Sequence, residues 1–346
     1  MKSVLITGGA GFIGSNFAHH ALARRPDWSI TVLDKLTYAG NPKNLCSLET
    51  NPRYRFVHGD IADPQVINSL FSKGLDMVFN FAAESHVDRS IECSNAFLRT
   101  DVYGVHTLLE AARRWPVYRF LQISTDEVYG SVRERAFRED APVRPSNPYA
   151  ASKAAAEALA HAYHATYGVP AIITRATNTY GPRQYPEKLI PLFITNALEG
   201  RPLPLYGNGD QIRDWLHVND HCEALLHLVD HARTGDIYNI GAANERRNLD
   251  IAHLILEQLG QPVSLIRPVE DRPGHDRHYA LDCAKLSALG WRAYIPFERG
   301  LRDTIAWYRH HPSWWGPLKS GAHAHYYQRQ YGTEVFQPPD RLRGIR

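Results

Sequence analysis

Thr125, Asp126 and Glu127 form an unbroken run of polar side chains directly after an apolar, β-prone segment at residues 118–124. That segment is expected to be a buried strand, and ligands of parallel sheets bind in the crevice beyond the carboxyl ends of the strands. The run therefore brings a hydroxyl and two carboxyl groups to the place where a reaction would occur. Two neighbouring carboxyls can supply a general acid and a general base.

Tyr149 and Lys153, about twenty residues further on, have the spacing of side chains that share one face of a helix. Asn147 can cap that helix, and Pro148 suits its first turn. The ammonium of Lys153 can then lie near the Tyr149 ring, where a cation favours the phenolate and makes the tyrosine a usable base near neutral pH. The Tyr-x-x-x-Lys pattern alone also fits an ordinary amphipathic helix, but its position after residues 125–127 favours a catalytic pair.

A glycine-rich segment, GGAGFIG at residues 8–14, lies between an apolar strand at residues 3–7 and a helical stretch that extends to about residue 25. Glycines at this spacing allow a tight turn and a close approach of the backbone to a pyrophosphate, which binds at the helix N-terminus. The context of strand, glycines and helix predicts a dinucleotide-binding turn. The alternative is an α/β protein that binds no cofactor.

A second strand, at residues 29–33, ends in Asp34. This carboxylate follows Gly14 by the distance at which an acidic residue can bind the ribose hydroxyls of a dinucleotide. Because it would repel a 2′-phosphate, the pattern favours NAD over NADP, although the neighbouring Lys35 weakens that preference.

Other strand ends supply further candidates. Asp60 follows the third strand and could reach an adenine amino group or cap the next helix. The fourth strand leads into two small residues, which allow a cofactor to approach closely, and then into Glu84 and Ser85, which could meet a sugar. The predicted cofactor-binding set is Gly8, Gly11, Phe12, Ile13, Gly14, Asp34, Lys35, Thr37, Asp60, Ile61, Ala82, Ala83, Ser85, Thr100, Tyr149 and Lys153.

Strands and helices alternate along the first half of the chain. Further strands are expected at residues 53–58, 76–81 and 171–175, and helices at 92–113 and 149–167. The alternation predicts an α/β fold: a Rossmann-type doubly wound parallel sheet with a smaller, interleaved α/β substrate domain.

The pattern changes after Ala176, where residues 177–191 are rich in Pro and Gly and are expected to form a loop before a helix at 192–200. We therefore predict a dinucleotide-binding domain at residues 1–176, to which part of 216–243 returns. Residues 177–346 form mainly the substrate domain.

Composition excludes several classes of protein. The 346 residues are 44% hydrophobic and 22% charged, as in ordinary globular proteins, and the formal net charge is +3. This small charge gives no reason to expect nucleic acid or a membrane surface as a partner. No apolar run approaches the ~18 residues of a membrane-spanning helix.

The cysteines and histidines suggest neither disulfides nor a metal site. Four scattered cysteines without a C-x-x-C pair indicate reduced thiols and a cytoplasmic protein. Eighteen histidines are present, and His217 and His221 have i,i+4 spacing, but no H-E-x-x-H pattern or acidic third ligand accompanies them. We therefore expect no metal.

Several segments together resemble the dTDP-glucose 4,6-dehydratases, a family of extended short-chain dehydrogenase/reductases. They are TGGAGFIG, LDKLTYAGN, FAAESHVDRS, STDEVYG, YAASK, NTYGPRQYPEKLIP and GDQIRDWLHV. The likeness covers nearly the whole chain, since WWGPLKSG and YYQRQYG also resemble the family's C-terminal pattern. The most specific feature is the Asp126-Glu127 pair after Thr125, because the otherwise similar nucleotide-sugar 4-epimerases and decarboxylases lack it.

The resemblance implies a role for each candidate catalytic residue. Thr125, Tyr149 and Lys153 would act at the C4 hydroxyl of the sugar. Asp126 would be the acid toward the C6 hydroxyl, and Glu127 the base at C5. Lys188, Arg213, Arg272 and His275 are expected to contact the diphosphate. The full substrate-binding set is Glu84, Ser85, Thr125, Asn178, Lys188, Leu189, Pro204, Tyr206, Arg213, Asn248, Arg272, His275 and Tyr279.

Two residues depart from the family pattern near the nicotinamide. Asp101 stands after Thr100 where the family usually has Asn, and Thr179 stands where a second Asn usually follows Asn178. The resemblance also implies a homodimer, in which helices 92–113 and 149–167 pair with their copies in a four-helix bundle.

Three alternatives remain open at this stage. One is a 4,6-dehydratase that acts on UDP-glucose, and another is a 4-epimerase or decarboxylase on the same fold. The third is a catalytically inactive, NAD-sensing regulatory protein, against which the intact residues Thr125, Asp126, Glu127, Tyr149 and Lys153 argue. The deoxysugar pathway that the product would enter is not specified by the sequence.

Overall fold

The computed structural model describes residues 1–132, 135–271, 277–320 and 322–331, the side chains of 322–326 excepted. In chain order its strands are β1 (Lys2–Thr7), β2 (Trp28–Asp34), β3 (Tyr54–His58), β4 (Met77–Asn80), β5 (Arg119–Thr125), β6 (Ala171–Ala176), β7 (Asn178–Tyr180), β8 (Leu203–Tyr206), β9 (Ile212–His217), β10 (Ile237–Ile240), β11 (Glu245–Arg247) and β12 (Ile266–Val269). The helices are α1 (Phe12–Arg24), α2 (Pro64–Phe71), α3 (Val87–Glu92), α4 (Asn95–Phe97), α5 (Val105–Arg114), α6 (Pro148–Tyr167), α7 (Leu189–Leu198), α8 (Val218–His231), α9 (Asn248–Leu259), α10 (Ala284–Ala288), α11 (Phe297–His310), α12 (Pro312–Trp315) and α13 (Ala322–Tyr331).

Seven strands form the main sheet, in the order β10-β6-β5-β4-β1-β2-β3, and every neighbouring pair is parallel. This is the doubly wound sheet that the alternation of elements predicts. The strand order reverses between β1 and β4, and in such sheets the ligand crevice opens at that point, beyond the carboxyl ends of the strands.

Helices cover both faces of the sheet, which explains why its strands are almost continuously apolar. Because successive side chains of a strand point to opposite faces, Val4 and Ile6 pack into the cluster beneath α1 and α8, together with Phe17. Leu5 points the other way, into the cluster beneath α2, α5 and α6, where it meets Phe71. The reaction site therefore rests on a sheet buried on both sides.

A second lobe follows β6. It contains a three-stranded sheet in the order β11-β9-β7, a two-stranded sheet of β12 and β8, and a separate core between α7, α9 and α11. The chain also returns to the main sheet, since β10 pairs with β6 and α8 packs beside α1. The two lobes are thus interleaved in sequence.

Two sequence predictions need correction. The expected loop at residues 177–191 contains β7, which pairs with β9, and the next helix begins at Leu189 rather than at residue 192. The expected helix at 92–113 begins at Asn95 and contains a π-helical segment, Leu98–Gly104. A three-residue strand such as β7 depends on its tertiary partner more than on its own residues, so no local pattern predicts it.

None of the helices described between Lys2 and Tyr331 is long and apolar enough to cross a membrane.

Candidate active site

The glycine-rich turn packs directly against the end of β4. Gly8 has a φ of +65°, and a Cβ placed on it would lie 2.6 Å from the main-chain nitrogen of Ala82. A Cβ on Gly14 would lie 2.5 Å from the main-chain oxygen of Gly8. Only glycine permits this compact turn, which leads into the N-terminus of α1 and forms one wall of a large cavity.

That cavity lies at the carboxyl end of the main sheet. All residues of the predicted cofactor-binding set line it, as do all five candidate catalytic residues. Sequence reasoning missed several other lining residues, which are Ala39, Gly40, Phe81, Ile123, Ser124, Ala176, Thr177, Gln184, Tyr185, Glu187 and His221. Position at a strand end could have identified Phe81 and Ala176, whereas residues 184–187 reach the cavity only through the fold of the second lobe.

Asp34 is buried where β2 ends. Its carboxylate accepts hydrogen bonds from the N–H of Ala10, at 2.8 Å, and of Leu36, at 2.7 Å. Burial raises the pKa of Asp34, and these hydrogen bonds act against that rise. The carboxylate is therefore held rigidly beside the glycine turn, at the position expected for a ribose-binding acid.

Lys35 does not offset the charge of Asp34, because its ammonium lies 2.7 Å from a carboxylate oxygen of Asp60. Burial raises the pKa of Asp60, but the hydrogen bonds from Lys35 and from the N–H of Ala62 outweigh it, and the net pKa is lowered. The cap of helix α2 is Asp63, so the alternative role considered for Asp60 is not observed. Because Lys35 is paired with Asp60, it weakens the predicted preference for NAD over NADP less than the sequence suggests.

The polar run after β5 forms a short turn of 3₁₀ helix, Asp126–Tyr129. The Thr125 hydroxyl donates to Asp126 at 3.1 Å and accepts from the N–H of Glu127 at 3.3 Å. Asp126 is only 3% exposed, and burial, followed by the charge of Glu127, raises its pKa well above the ordinary value. The raised pKa favours the protonated form of Asp126, which can donate a proton.

Helix α6 begins as predicted. The side chain of Asn147 accepts from the N–H of Ala150 at 2.9 Å, and Pro148 occupies the first turn. This cap fixes the direction of the helix, so that Tyr149 and Lys153 both face the cavity.

The expectation that Lys153 lowers the pKa of Tyr149 is not met. Lys153 instead donates to the main-chain oxygen of Ile123 at 2.6 Å. Burial, and then the charges of Glu127 and Asp101, raise the pKa of Tyr149 well above its ordinary value. A third residue, Thr125, opposes that rise through a hydrogen bond to the Tyr149 hydroxyl. The protein alone therefore keeps this tyrosine protonated.

Asp101, the first departure from the family pattern, is buried in the π-helical segment. Its carboxylate accepts from the N–H of Glu84 at 2.9 Å and from the hydroxyl of Ser152 at 2.7 Å. Burial raises the pKa of Asp101 to about 6, and the charge of Lys153 is the largest effect in the other direction. Burial also lowers the pKa of Lys153, which the charges of Asp101 and Glu157 oppose. The charge of Asp101 thus favours the protonated form of Lys153.

Thr179, the second departure, lies beside a buried histidine. Its hydroxyl is 3.0 Å from Nδ1 of His221, and burial lowers the pKa of His221 to about 4. A neutral imidazole therefore faces the cavity at this point. No group of three or more His, Cys, Asp or Glu side chains suited to a metal occurs in the part of the chain that the structure describes.

A second cavity adjoins the first and carries most of the predicted substrate-binding residues. Glu127, Asn178 and Lys188 line both cavities, and Leu189, Pro204, Tyr206, Arg213 and Asn248 line the second one. Glu84, Ser85 and Thr125 line the first.

Arg213 is the buried cation of this second cavity. It is 5% exposed, and its guanidinium carbon lies 4.3 Å from the ring centroid of Tyr279, the remaining predicted substrate residue within the described chain. Arg272 and His275 lie outside the described residues. A stacked and buried guanidinium is suited to bind phosphate oxygens.

The residues of the first cavity fit a polar ligand such as a dinucleotide. Several buried polar atoms that face it have no hydrogen-bond partner among the described residues; they are Ser124 Oγ, Asp126 Oδ2, Thr177 Oγ1, Asn178 Oδ1 and His221 Nε2. Buried polar atoms without partners are costly, and a bound polar molecule would satisfy them.

A parallel doubly wound sheet, a glycine turn at its switch point and a Tyr-x-x-x-Lys helix beside the cavity define an extended short-chain dehydrogenase/reductase. The family model for GDP-mannose 4,6 dehydratase matches residues 5–304. A dTDP-glucose 4,6-dehydratase from Streptomyces niveus is 49% identical over 322 residues, covering 92% of this chain and 96% of the relative. The chain belongs to the dTDP-glucose 4,6-dehydratase family.

Solved structures agree with this assignment. DesIV, the dTDP-glucose 4,6-dehydratase of Streptomyces venezuelae, determined with NAD and dTDP bound, has a TM-score of 0.90 and 48% identity, over 92% of this chain and 100% of that one. A UDP-glucose 4-epimerase from Thermus thermophilus, in complex with NAD, has a TM-score of 0.83 and 32% identity, over 89% and 99%. The fold is therefore shared with epimerases, and the choice between the two activities depends on the site.

Proposed function

We propose that the protein converts dTDP-glucose to dTDP-4-keto-6-deoxyglucose by removing water, with NAD as its cofactor. The observation that carries the proposal is the position of Asp126 and Glu127, which follow Thr125 at the cavity wall that also holds Tyr149. Oxidation alone needs only the tyrosine, whereas loss of water from C5 and C6 needs an additional acid and an additional base.

Bound NAD would accept a hydride from C4 of the sugar and return it to C6, and its cationic nicotinamide ring would favour ionisation of a nearby tyrosine. Tyr149 takes the proton of the C4 hydroxyl, and Thr125, which hydrogen-bonds to the Tyr149 hydroxyl, orients the two groups. Lys153 does not lower the pKa of Tyr149 in the protein alone, so we assign its charge a supporting effect that would act only beside the bound nicotinamide. Its hydrogen bond to Ile123 and the neighbouring charge of Asp101 keep the ammonium in place.

Glu127 and Asp126 carry out the elimination. A ketone at C4 acidifies the proton on C5, so that a carboxylate such as Glu127 can remove it. The electrons left on C5 expel the C6 hydroxyl, to which Asp126 delivers a proton, and water leaves. The raised pKa of Asp126, caused first by burial, suits this role, because it favours the protonated acid that must donate to the C6 hydroxyl.

The second cavity is proposed to hold the nucleotide part of the substrate. Lys188 and Arg213 are the cations assigned to the diphosphate, and Glu84, Ser85 and Asn178 lie toward the sugar. A dTDP substrate is favoured over UDP because relatives that are 48–49% identical over 92% of the chain carry the dTDP-glucose name. A 4-epimerase, which the shared fold would allow, needs no elimination and gives no role to the two carboxyls.

We also propose a homodimer through a bundle in which α6 and α5, together with the π-helical segment Leu98–Gly104 that precedes α5, pair with their copies. The outer surface of these helices carries a ladder of rings, in which Tyr103 stacks on His106, His106 meets Tyr163 edge-on, and Tyr163 meets Tyr167. Tyr103 is 50% exposed and Tyr167 52%. Leu98, at 55%, extends this apolar surface. A two-fold contact of this surface with its copy would bury it.

The predicted domain division and the cytoplasmic location remain proposals. The first is supported by the two separate cores and by the return of β10 to the main sheet. The second is supported by the four cysteines, all of which are free.

The experiment that tests the proposed function is incubation of the purified protein with dTDP-glucose, UDP-glucose and other nucleotide-glucoses, with mass detection of the products. We expect a product from dTDP-glucose that is lighter by one water and absorbs as a 4-keto sugar in base. A product of unchanged mass would identify an epimerase. Faster conversion of UDP-glucose would reassign the substrate, and recovery of the substrate unchanged would favour a regulatory protein.

A further inference from the structure

Glu187 joins two side chains from distant parts of the chain. Its carboxylate accepts a hydrogen bond of 2.9 Å from the hydroxyl of Tyr38. The other carboxylate oxygen lies 3.3 Å from both Nε and Nη2 of Arg89. The guanidinium carbon of Arg89 lies 3.9 Å from the ring centroid of Tyr38. We call these three residues the clasp. The Glu187 side chain is only 2% exposed, so these contacts are made away from water.

The clasp joins three separate segments of the chain around the first cavity, and of its members Glu187 lines the cavity itself. Tyr38 lies in the loop after β2, at residues 35–41, whose members Lys35, Thr37, Ala39 and Gly40 line the end of the cavity near Asp34. Arg89 belongs to α3, after β4, and Glu187 precedes α7 in the second lobe. The clasp therefore connects the wall proposed to face adenosine with the wall proposed to face the sugar.

Both ends of the loop at residues 35–41 are fixed independently of the clasp. At one end the N–H of Leu36, a residue with a φ of +55°, donates to Asp34 at 2.7 Å. At the other end the N–H of Asn41 donates to the main-chain oxygen of Ala10 at 3.0 Å. Between these two points, the side chain of Tyr38 bonds to Glu187, which precedes the second-lobe helix α7. Movement of the middle of the loop is thus restrained through Tyr38 and Glu187.

We infer that the clasp is a positioning device that holds loop 35–41 over the bound dinucleotide and slows its dissociation, an inference that rests on the proposed NAD site. The proposed reaction oxidises and then reduces the same sugar. If the dinucleotide left between these steps, the oxidised intermediate could not be reduced. Opening the loop requires the Tyr38 hydroxyl to leave Glu187 and the Tyr38 ring to leave the guanidinium of Arg89. A buried carboxylate that loses its hydrogen bonds is destabilised, so the closed loop is favoured.

The clasp also links the dinucleotide to the second cavity. Glu187 lines both cavities, and the ammonium of the next residue, Lys188, donates to the main-chain oxygen of Ser85. A diphosphate ligand that orders Lys188 therefore orders Glu187 as well. By linkage, such a ligand should slow release of the dinucleotide further, and the dinucleotide should tighten binding of the ligand.

The test measures dissociation of NAD directly. Full-length protein is loaded with radiolabelled NAD, and excess unlabelled NAD is then added, with and without dTDP. The radioactivity that remains bound to the protein is measured over time by filter binding. The variants are Tyr38→Phe, Glu187→Gln and the two combined. The control is Tyr238→Phe, because the Tyr238 hydroxyl also lies near a carboxylate, 3.4 Å from Asp236, but outside the cavity. Thermal unfolding of each protein shows whether any loss is merely one of stability.

We expect Tyr38→Phe to speed NAD release roughly 3- to 10-fold, as for loss of one hydrogen bond. Glu187→Gln should speed it about 10-fold or more, because Arg89 loses its charged partner as well. The double variant should release NAD at a rate within about 2-fold of that of Glu187→Gln, because Tyr38 acts through Glu187. In the wild type, dTDP should slow the release of NAD. In Glu187→Gln, dTDP should slow NAD release by a smaller factor.

Release rates for Tyr38→Phe and Glu187→Gln that match those of Tyr238→Phe would overturn the inference. So would rate increases that multiply in the double variant, because the two residues would then act independently. A wild-type protein that retains no NAD at all would instead contradict the proposed function.

Discussion

The ammonium of Lys153 donates a hydrogen bond of 2.6 Å to the main-chain oxygen of Ile123. This contact ties helix α6, which carries Tyr149, to strand β5, which ends in Thr125 and is followed by Asp126 and Glu127. The tyrosine proposed for the oxidation and the carboxyls proposed for the elimination are therefore parts of one rigid unit. Their separate contributions to the reaction can nevertheless be distinguished, because they act in different steps.

Glu127→Gln should separate oxidation from elimination. The substitution keeps the shape of the side chain and removes the base for the C5 proton, which the oxidation of C4 does not need. With dTDP-glucose, the variant should still build up the absorbance of reduced nicotinamide and then stall. Turnover should fall roughly 10²- to 10⁴-fold, as expected for loss of a positioned base. Normal turnover of this variant would show that Glu127 has another role.

Tyr149→Phe should fail at an earlier step. Without the phenol, the C4 hydroxyl keeps its proton, and no reduced nicotinamide should accumulate on mixing with dTDP-glucose. Stopped-flow absorbance of this variant beside Glu127→Gln gives the comparison. Accumulation at the wild-type rate would remove Tyr149 from the oxidation step.

Asp101→Asn should stabilise the folded protein at neutral pH. Burial raises the pKa of Asp101 from 3.8 to about 6, so the folded state binds this proton more tightly than the unfolded state does. The ionised carboxylate then costs about 3 kcal/mol above pH ~6, at ~1.4 kcal/mol per pKa unit, and nothing below pH ~4. Asparagine can accept from the N–H of Glu84 and donate to Ser152, so the change mainly removes the charge.

Urea unfolding of the wild type and of Asp101→Asn at pH 4.5 and pH 8 measures this difference. The advantage of the variant should grow as the pH rises through about 6. Asp60→Asn is a control for which the opposite pH dependence is expected, because the pKa of Asp60 is lowered in the folded protein. This variant should be less stable than the wild type at neutral pH, and the difference in stability should shrink as the pH falls. An advantage of Asp101→Asn that does not change with pH would contradict the assignment.

Asp34 should determine the choice between NAD and NADP. Its rigidly held carboxylate would lie against a 2′-phosphate, and like charges in contact disfavour binding strongly. The wild type should bind NAD much more tightly than NADP, and Asp34→Asn should reduce that preference roughly 10- to 100-fold. Equilibrium dialysis of both nucleotides measures it. Lys35→Gln is the comparison variant and should change the preference less, because its ammonium is paired with Asp60. A wild type that prefers NADP would exclude this role.

The exposed surface of α5 and α6 should be needed for dimerisation. Leu98→Glu combined with Tyr103→Glu places two charges on this surface and should convert a dimer into a monomer. Tyr294→Glu alters a residue that is 60% exposed elsewhere and should leave the dimer intact. Light scattering at micromolar concentration reports the mass of each protein. A monomeric wild type would rule out the proposed bundle.

Much of the site could be predicted from the sequence, because its residues are tied to regular local features. A parallel sheet places every strand end along one edge, so Asp34, Asp60 and the run after β5 had to converge. The N-cap at Asn147 and the four-residue spacing likewise placed Tyr149 and Lys153 on one face. These predictions follow from periodicity and capping, which act over a few residues and are visible in the sequence.

Local patterns in the chain specify the sheet, the dinucleotide-binding turn and the residue types available for chemistry. How those groups affect each other depends on the packing of distant segments. This packing directed Lys153 to Ile123, paired Lys35 with Asp60, and brought Glu187 to Tyr38. Each of these contacts joins residues from separate elements, and the burial that raises the pKa values of Asp101 and Tyr149 depends on how those elements pack. Burial and charge proximity are properties of the packed chain, and no local pattern specifies them.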